Sequence, residues 1–217
     1  MNKCIGIISW LPDEPNQRAA RLETLNATLE SCYKIFPNIP ILIIAQNWNN
    51  EVSVSEQCIV FEYDKLGIVK ARKILRLKFL QSEYDRLIML DDDCVLKGDP
   101  TNYLQAIEDH PDCIVQGFNA TQFKLFSIPK YLYEQIDLPN ISVENFEGIE
   151  DHLFIAACHH KFKDKIYILP NRDLNLNFKE TLQNSTWKPK DYTDDIYTKI
   201  IRNNHKLFSK FKQEGYF

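Results

Sequence analysis

No two of the six cysteines in this 217-residue sequence form a CxxC pair, and none of the zinc-finger spacings occurs. Cys4, Cys32, Cys58, Cys94, Cys113 and Cys158 sit mostly in apolar runs, which reads as buried, reduced thiols and a cytoplasmic location. No stretch approaches the ~20 apolar residues of a membrane span. The apolar run after Lys3, Cys4 to Ile8, is too short for the core of a signal peptide. Positive charge is not in excess. With 26 Lys+Arg against 30 Asp+Glu the net charge is −4, so nucleic acid is not expected as the main partner. A glycine-rich basic phosphate loop is also missing after the first apolar run. Ser9-Trp10-Leu11-Pro12-Asp13 stands there instead, which argues against a nucleotidyltransferase.

The chain has a hydrophobic fraction of 44% and a charged fraction of 26%, as a folded globular domain does. Apolar runs at Cys4–Trp10, Ile41–Ala45, Cys58–Tyr63 and Arg86–Leu90 read as buried strands. Between them, Arg18–Phe36 and Gly67–Leu80 carry apolar residues at three-to-four spacing, the pattern of amphipathic helices. Pro37 and Pro40 stop the first of these. The alternation predicts an α/β fold with a mostly parallel central sheet flanked by helices. Further along, Tyr103–Asp109, Tyr131–Ile136 and Glu150–His160 read as helices, and Cys113–Gly117, Lys124–Ser127 and Ile166–Leu169 as strands. Leu174–Trp187 reads as irregular. Residues 1–195 are expected to form one domain, with halves 1–100 and 101–195. Residues 196–217 are expected to form a basic amphipathic helix, with Lys199, Arg202, Lys206, Lys210 and Lys212 among its apolar positions.

Ligands of parallel sheets gather at the carboxyl ends of the strands. Those ends carry Ser9 and Trp10, Gln46, Asp64, and the run Asp91-Asp92-Asp93. Three adjacent carboxylates repel each other by several kcal/mol at order of magnitude in a partly buried site. A hard divalent cation such as Mg²⁺ or Mn²⁺ relieves that repulsion. Strand alternation puts Asp91 and Asp93 on one side and turns Asp92 the other way.

This strand with its D-x-D end resembles the GT-A glycosyltransferases, above all the inverting family-two type. A second match lies upstream, where Gly67-Ile68-Val69-Lys70-Ala71-Arg72-Lys73 resembles the family's G-x-x-x-A-R-N pattern, with Lys in place of Asn. The resemblance implies a GT-A (Rossmann-like) fold and a metal-dependent transfer of a hexose from a nucleotide diphosphate sugar, with UDP as the expected nucleotide. The acceptor would be a hydroxyl of a glycan or of a lipid- or protein-linked sugar. It implies Asp93 as metal ligand with Asp91 as helper, and Arg72 facing the nucleotide. Ser9, Trp10, Gln46, Asp64, Gly67 and Asp92 complete the expected donor site. Gln46 stands where many relatives have a uracil-reading Asp.

The Glu150-Asp151 pair resembles the family's E-D element, which implies Asp151 as catalytic base and Glu150 as its partner. His205 is a candidate further metal ligand, because some members recruit a C-terminal histidine. The basic tail helix suggests peripheral docking on an anionic membrane at the inner face, where lipid-linked acceptors sit. Two alternatives stay open. Asp91-x-Asp93 also fits the nucleophile motif of haloacid-dehalogenase phosphatases, with Asp194-Asp195 as distal metal acids. The other is a non-catalytic nucleotide- or sugar-binding module.

Overall fold

The computed structural model describes residues 1–117, 124–136 and 150–180, together with Ser209 and Gln213. The elements follow in the order β1 (Lys3–Trp10), α1 (Pro15–Ile35), β2 (Ile41–Gln46), β3 (Cys58–Tyr63), α2 (Ile68–Gln81), β4 (Arg86–Asp91), β5 (Cys94–Gly98), α3 (Thr101–Asp109), β6 (Ile114–Gln116), β7 (Lys124–Pro129), α4 (Lys130–Tyr133), α5 (Glu150–Lys161), β8 (Ile166–Ile168) and β9 (Leu176–Glu180).

The central apolar runs become strands because they are buried on both faces, whereas β3 at the sheet edge is only partly buried. β2 is buried at all six positions and β4 at its first five. They form a seven-stranded sheet in the order β3-β2-β1-β4-β7-β6-β8, in which only β7 runs against the others. Side-chain alternation divides the core in two. Ile5, Ile7, Ile88 and Leu90 point to one face, where Leu25, Leu29 and Cys32 of α1 and Ile107 of α3 cover them. Cys4, Ile8, Leu87 and Met89 point to the other, under Ala71, Leu75 and Phe79 of α2 and Phe154, Ile155 and Cys158 of α5. The sheet is thus covered by helices on both faces, as the spacing of the apolar residues requires.

Helix α1 begins with Pro15 at its first position, and Glu14 caps it by accepting from the backbone N–H groups of Asn16 (3.1 Å) and Gln17 (2.7 Å). This fixes where the helix leaves the β1 end of the sheet.

The second half departs from the expectation in one respect. Residues 176–180 are a strand, β9, not irregular chain. It pairs antiparallel with β5, which the sequence reading missed. This small sheet lies against α1: Leu96 joins the α1 core, and its N–H donates to the Ser31 hydroxyl at 3.0 Å. The short helix read at Tyr131–Ile136 begins one residue earlier and ends at Tyr133. The tail helix, His205 and the Asp194-Asp195 pair fall outside the described residues. Among the described residues no helix is long and apolar enough to cross a membrane.

Candidate active site

Strand β4 lies at the centre of the sheet between β1 and β7, and it ends at Asp91. Asp92 and Asp93 form a turn before β5. The three carboxylates are therefore at the carboxyl edge of the parallel strands, and each has a cationic neighbour. Asp91 continues the alternation of β4 toward the α2 face, and Arg72 of α2 meets it at 3.5 Å. Asp92 turns to the α1 face, where Arg21 donates to its Oδ1. The second amino group of Arg21 reaches Asp93 Oδ2 at 3.6 Å. The alternation that would place Asp93 with Asp91 ends with the strand, so Asp93 shares its arginine with Asp92 instead.

The repulsion argued from the sequence is thus largely met by two arginines from opposite faces of the sheet. What distinguishes the acids is exposure. The side chains of Asp91 and Asp93 are each 25% exposed and that of Asp92 is 8%. Asp92 is the buried acid of the three, held to α1 by Arg21. Burial pulls its carboxyl above the usual range, Arg21 opposes this, and the neighbouring Asp93 adds to the upward pull. Burial also works against the Arg21 charge, but Asp92 and Asp93 outweigh it and hold the guanidinium protonated.

Two further rim residues are engaged inside the protein. Ser9 is buried, and its hydroxyl accepts from the Trp48 indole at 3.3 Å and favours the anionic form of Asp92. Gln46 is also buried, and its Oε1 accepts from Leu66 N–H at 2.9 Å, tying down the segment before α2. Both residues, expected at the donor base, also make these internal contacts at the rim.

Trp10, the last residue of β1, is half-buried with Lys65 over its ring at 5.0 Å. Its indole nitrogen is buried and has no hydrogen-bond partner among the described residues. Asp64 and Gly67 are exposed in the same β3–α2 connection. Gly67 holds φ +78°, a left-handed conformation that glycine adopts without strain, and its carbonyl accepts from Ala71 N–H to start α2. That turn sets the register of α2 and hence points Arg72, 4% exposed, at Asp91.

Asp151 is the second residue of α5 and is buried. Helix α5 ends shortly before β8 enters the sheet, so its first turn lies toward the carboxyl edge. It packs on the same face as α2 and Arg72. Glu150 opens the helix. Lys124, the first residue of β7, is buried and pairs across the sheet with Leu90, next to Asp91. A register shift between Met89 and Leu90 and a positive φ of 57° at Leu125 accompany it. Sequence reasoning missed Arg21 and Lys124. A signal for Arg21 was present, because it stands four residues before Leu25 and extends the buried stripe of α1 by one turn.

Among the described residues no group of three or more His, Cys, Asp or Glu side chains could hold a metal ion. Asp91 and Asp93 are each a quarter exposed at the end of β4. Two partly exposed carboxylates suit a hard cation that takes its other oxygens from a diphosphate and water. A cavity of about 420 Å³ lined by Tyr33, Pro37 and Gln57 lies at the opposite edge, where β2 and β3 begin, and has no paired acids.

No family model matches the sequence, and no curated protein matches it. Similar solved structures exist. A protein from Desulfovibrio desulfuricans G20, assigned as a nucleotide-diphospho-sugar transferase, superposes with a TM-score of 0.53 at 13% identity, covering 97% of this chain and 99% of that one. Residues 1–349 of S. aureus TarS superpose with a TM-score of 0.52 at 14% identity, covering 78% of this chain. The present chain spans 58% of that TarS structure and 35% of a longer one. Together with the sheet order and the helices on both faces, these similarities show that the chain has the GT-A-like fold of nucleotide-diphospho-sugar transferases.

Proposed function

We propose that the chain is a metal-dependent glycosyltransferase that moves a hexose from a nucleotide diphosphate sugar, with UDP as the nucleotide, to a hydroxyl of a glycan or of a lipid- or protein-linked sugar. The observation that carries this reading is the pair of partly exposed carboxylates, Asp91 and Asp93, at the tip of the central parallel strand of a GT-A-like fold. Asp93 and Asp91 would hold Mg²⁺ or Mn²⁺. When bound, the cation supplies charge neutralisation to the departing diphosphate. Arg72, with its planar guanidinium, contacts the donor's oxygens from the α2 side. The half-buried Trp10 ring, with Asp64 and Gly67, receives the nucleoside.

Asp151 takes the proton of the acceptor hydroxyl as that oxygen attacks the anomeric carbon, with Glu150 at its side. Such a base contributes ~10²–10⁴-fold. Attack opposite the leaving group inverts the anomeric centre. His205 is a further ligand in this scheme, and the basic residues of 196–217 bring the enzyme to lipid-linked acceptors at an anionic membrane surface. The phosphatase alternative needs its nucleophile after the first core strand, whereas Asp91 ends β4. The test is a thermal-shift screen of nucleotides and nucleotide sugars with and without Mn²⁺, followed by turnover of the ligand that stabilises most. A Mn²⁺-dependent rise in Tm with a UDP-sugar, and release of UDP, are expected. Stabilisation without turnover with any acceptor would favour a binding module, and phosphate release from a phosphomonoester would favour the phosphatase.

A further inference from the structure

Arg21 is the unassigned cation nearest the acidic turn, and no motif in the sequence singles it out. It projects from the inward stripe of α1, one turn before Leu25, on the face of the sheet opposite Arg72. Its side chain is only 12% exposed, so it is no surface counter-ion. One amino group is committed to buried Asp92, and the other reaches Asp93 Oδ2 at 3.6 Å. A guanidinium is a rigid planar fork, so fixing one arm on Asp92 fixes where the other arm stands. Asp93 has just left the strand, and ladder hydrogen bonds no longer set its direction.

We infer that Arg21 is a positioning residue for the metal site: locked by Asp92, it orients the Asp93 carboxylate through one oxygen and leaves the other to a divalent cation. This rests on the glycosyltransferase reading of Asp93. The chemistry is that of an outer ion-pair partner to a metal-bound carboxylate, and loss of an outer partner typically weakens metal affinity ~10–100-fold. Two other roles predict otherwise. A cation that merely offsets acidic charge would compete with the metal, so its removal would tighten binding. A purely structural ion pair would change stability and leave the affinity of the folded protein untouched.

The experiment measures Mn²⁺ binding in the presence of UDP, by the electron paramagnetic resonance of free Mn²⁺, alongside Tm. It compares the full-length wild type, Asp93→Ala, Arg21→Lys, and the double variant Arg21→Met with Asp92→Asn. Removing both partners of a buried pair avoids stranding one charge, so the double variant is expected to keep a Tm near the wild type. Its Kd for Mn²⁺ is expected to rise ~10–100-fold, while UDP affinity without metal stays the same. Arg21→Lys keeps a charge for Asp92 but has no fork, and a rise of about tenfold is expected. If the double variant does not fold, Arg21→Lys decides alone. Wild-type affinity, or tighter binding, in these variants overturns the inference while leaving Asp93 as ligand, provided Asp93→Ala loses the metal. If the wild type itself binds no Mn²⁺ with UDP, the functional reading falls and the inference falls with it.

Discussion

Arg86 allows the scaffold to be tested separately from the site. It opens β4 and is fully buried. Its two amino groups donate to the carbonyls of Cys113 (3.0 Å), His110 (3.2 Å) and Pro111 (2.7 Å) and to the Ser127 hydroxyl (2.9 Å). The guanidinium thereby ties β4 to β7 and to the α3–β6 connection. Four hydrogen bonds from a charged donor are worth ~1.5–3 kcal/mol each. Burying the charge offsets several kcal/mol of that gain, in line with the downward pull of burial on its pKa. Its Nε, buried and unpartnered, adds to the cost. Arg86→Met should therefore destabilise by about 3–5 kcal/mol, because it strands three carbonyls and a hydroxyl. For a domain of this size that lowers Tm by roughly 10 °C. Arg86→Lys should lose less, since an ammonium keeps the charge and can serve up to three of the acceptors. The site lies five residue steps away, about 16 Å along the strand. Differential scanning calorimetry should thus show the loss, while Mn²⁺–UDP affinity below the transition stays at the wild-type value. A fall in Tm under about 3 °C, or a changed affinity, would refute the reasoning.

Other perturbations test the site and the packing. Asp93→Ala should weaken Mn²⁺ binding beyond the ~10²-fold upper end expected for an outer partner, measured by calorimetric titration with UDP present. Asp151→Asn should cut transfer ~10²–10⁴-fold in a UDP-release assay while donor binding stays nearly unchanged. Gly98 has φ +110°, and a Cβ there would stand 2.1 Å from the Asn175 carbonyl oxygen. Gly98→Ala should cost about 2–3 kcal/mol through strain and clash at the β5–β9 pairing, read as a lower urea midpoint. Burial raises the thiol of Cys32 to about 12 and those of Cys4, Cys94 and Cys158 as well. In the folded chain at pH 7.5 a thiol reagent followed by mass spectrometry should modify the half-buried Cys58 and Cys113 first. Rapid labelling of the four buried thiols without unfolding would contradict their packing.

The sequence was most readable where burial is two-sided. Ile41–Gln46 and Arg86–Asp91 are strands because their apolar runs have no polar face to give to water. The alternation in β4 even predicts that Asp92 turns away from Asp91. The same rule failed one residue later, because it holds only while the ladder lasts, and the chain turns after Asp91. The β5–β9 sheet was missed for a different reason. Leu176-Asn177-Phe178-Lys179 alternates apolar and polar with period two, but its partner Cys94–Gly98 lies about eighty residues earlier, and neither run is apolar enough to stand out.

The acidic cluster meets much of its own repulsion from within the protein. Three adjacent carboxylates do need neutralising, but the repulsion itself does not call for a metal, because Arg21 and Arg72 supply two positive charges from opposite faces. Buried Lys124 stands beside Asp91 as well, and two of the acids, Asp91 and Asp93, are a quarter exposed. The case for a cation therefore rests on placement. The buried acid of the turn is locked to α1, and the two acids that can still reach a ligand flank it at the open edge of the sheet. A rim built this way keeps its shape when empty, since each carboxylate already has a protein partner. It can then accept a divalent ion and a diphosphate with little rearrangement, and metal binding should not be coupled to folding of the domain. A Tm that stays near its metal-free value at Mn²⁺ concentrations sufficient for turnover, in the absence of nucleotide, is the outcome this arrangement demands. Collapse of the domain on chelation would show that the arginines do not do the work assigned to them.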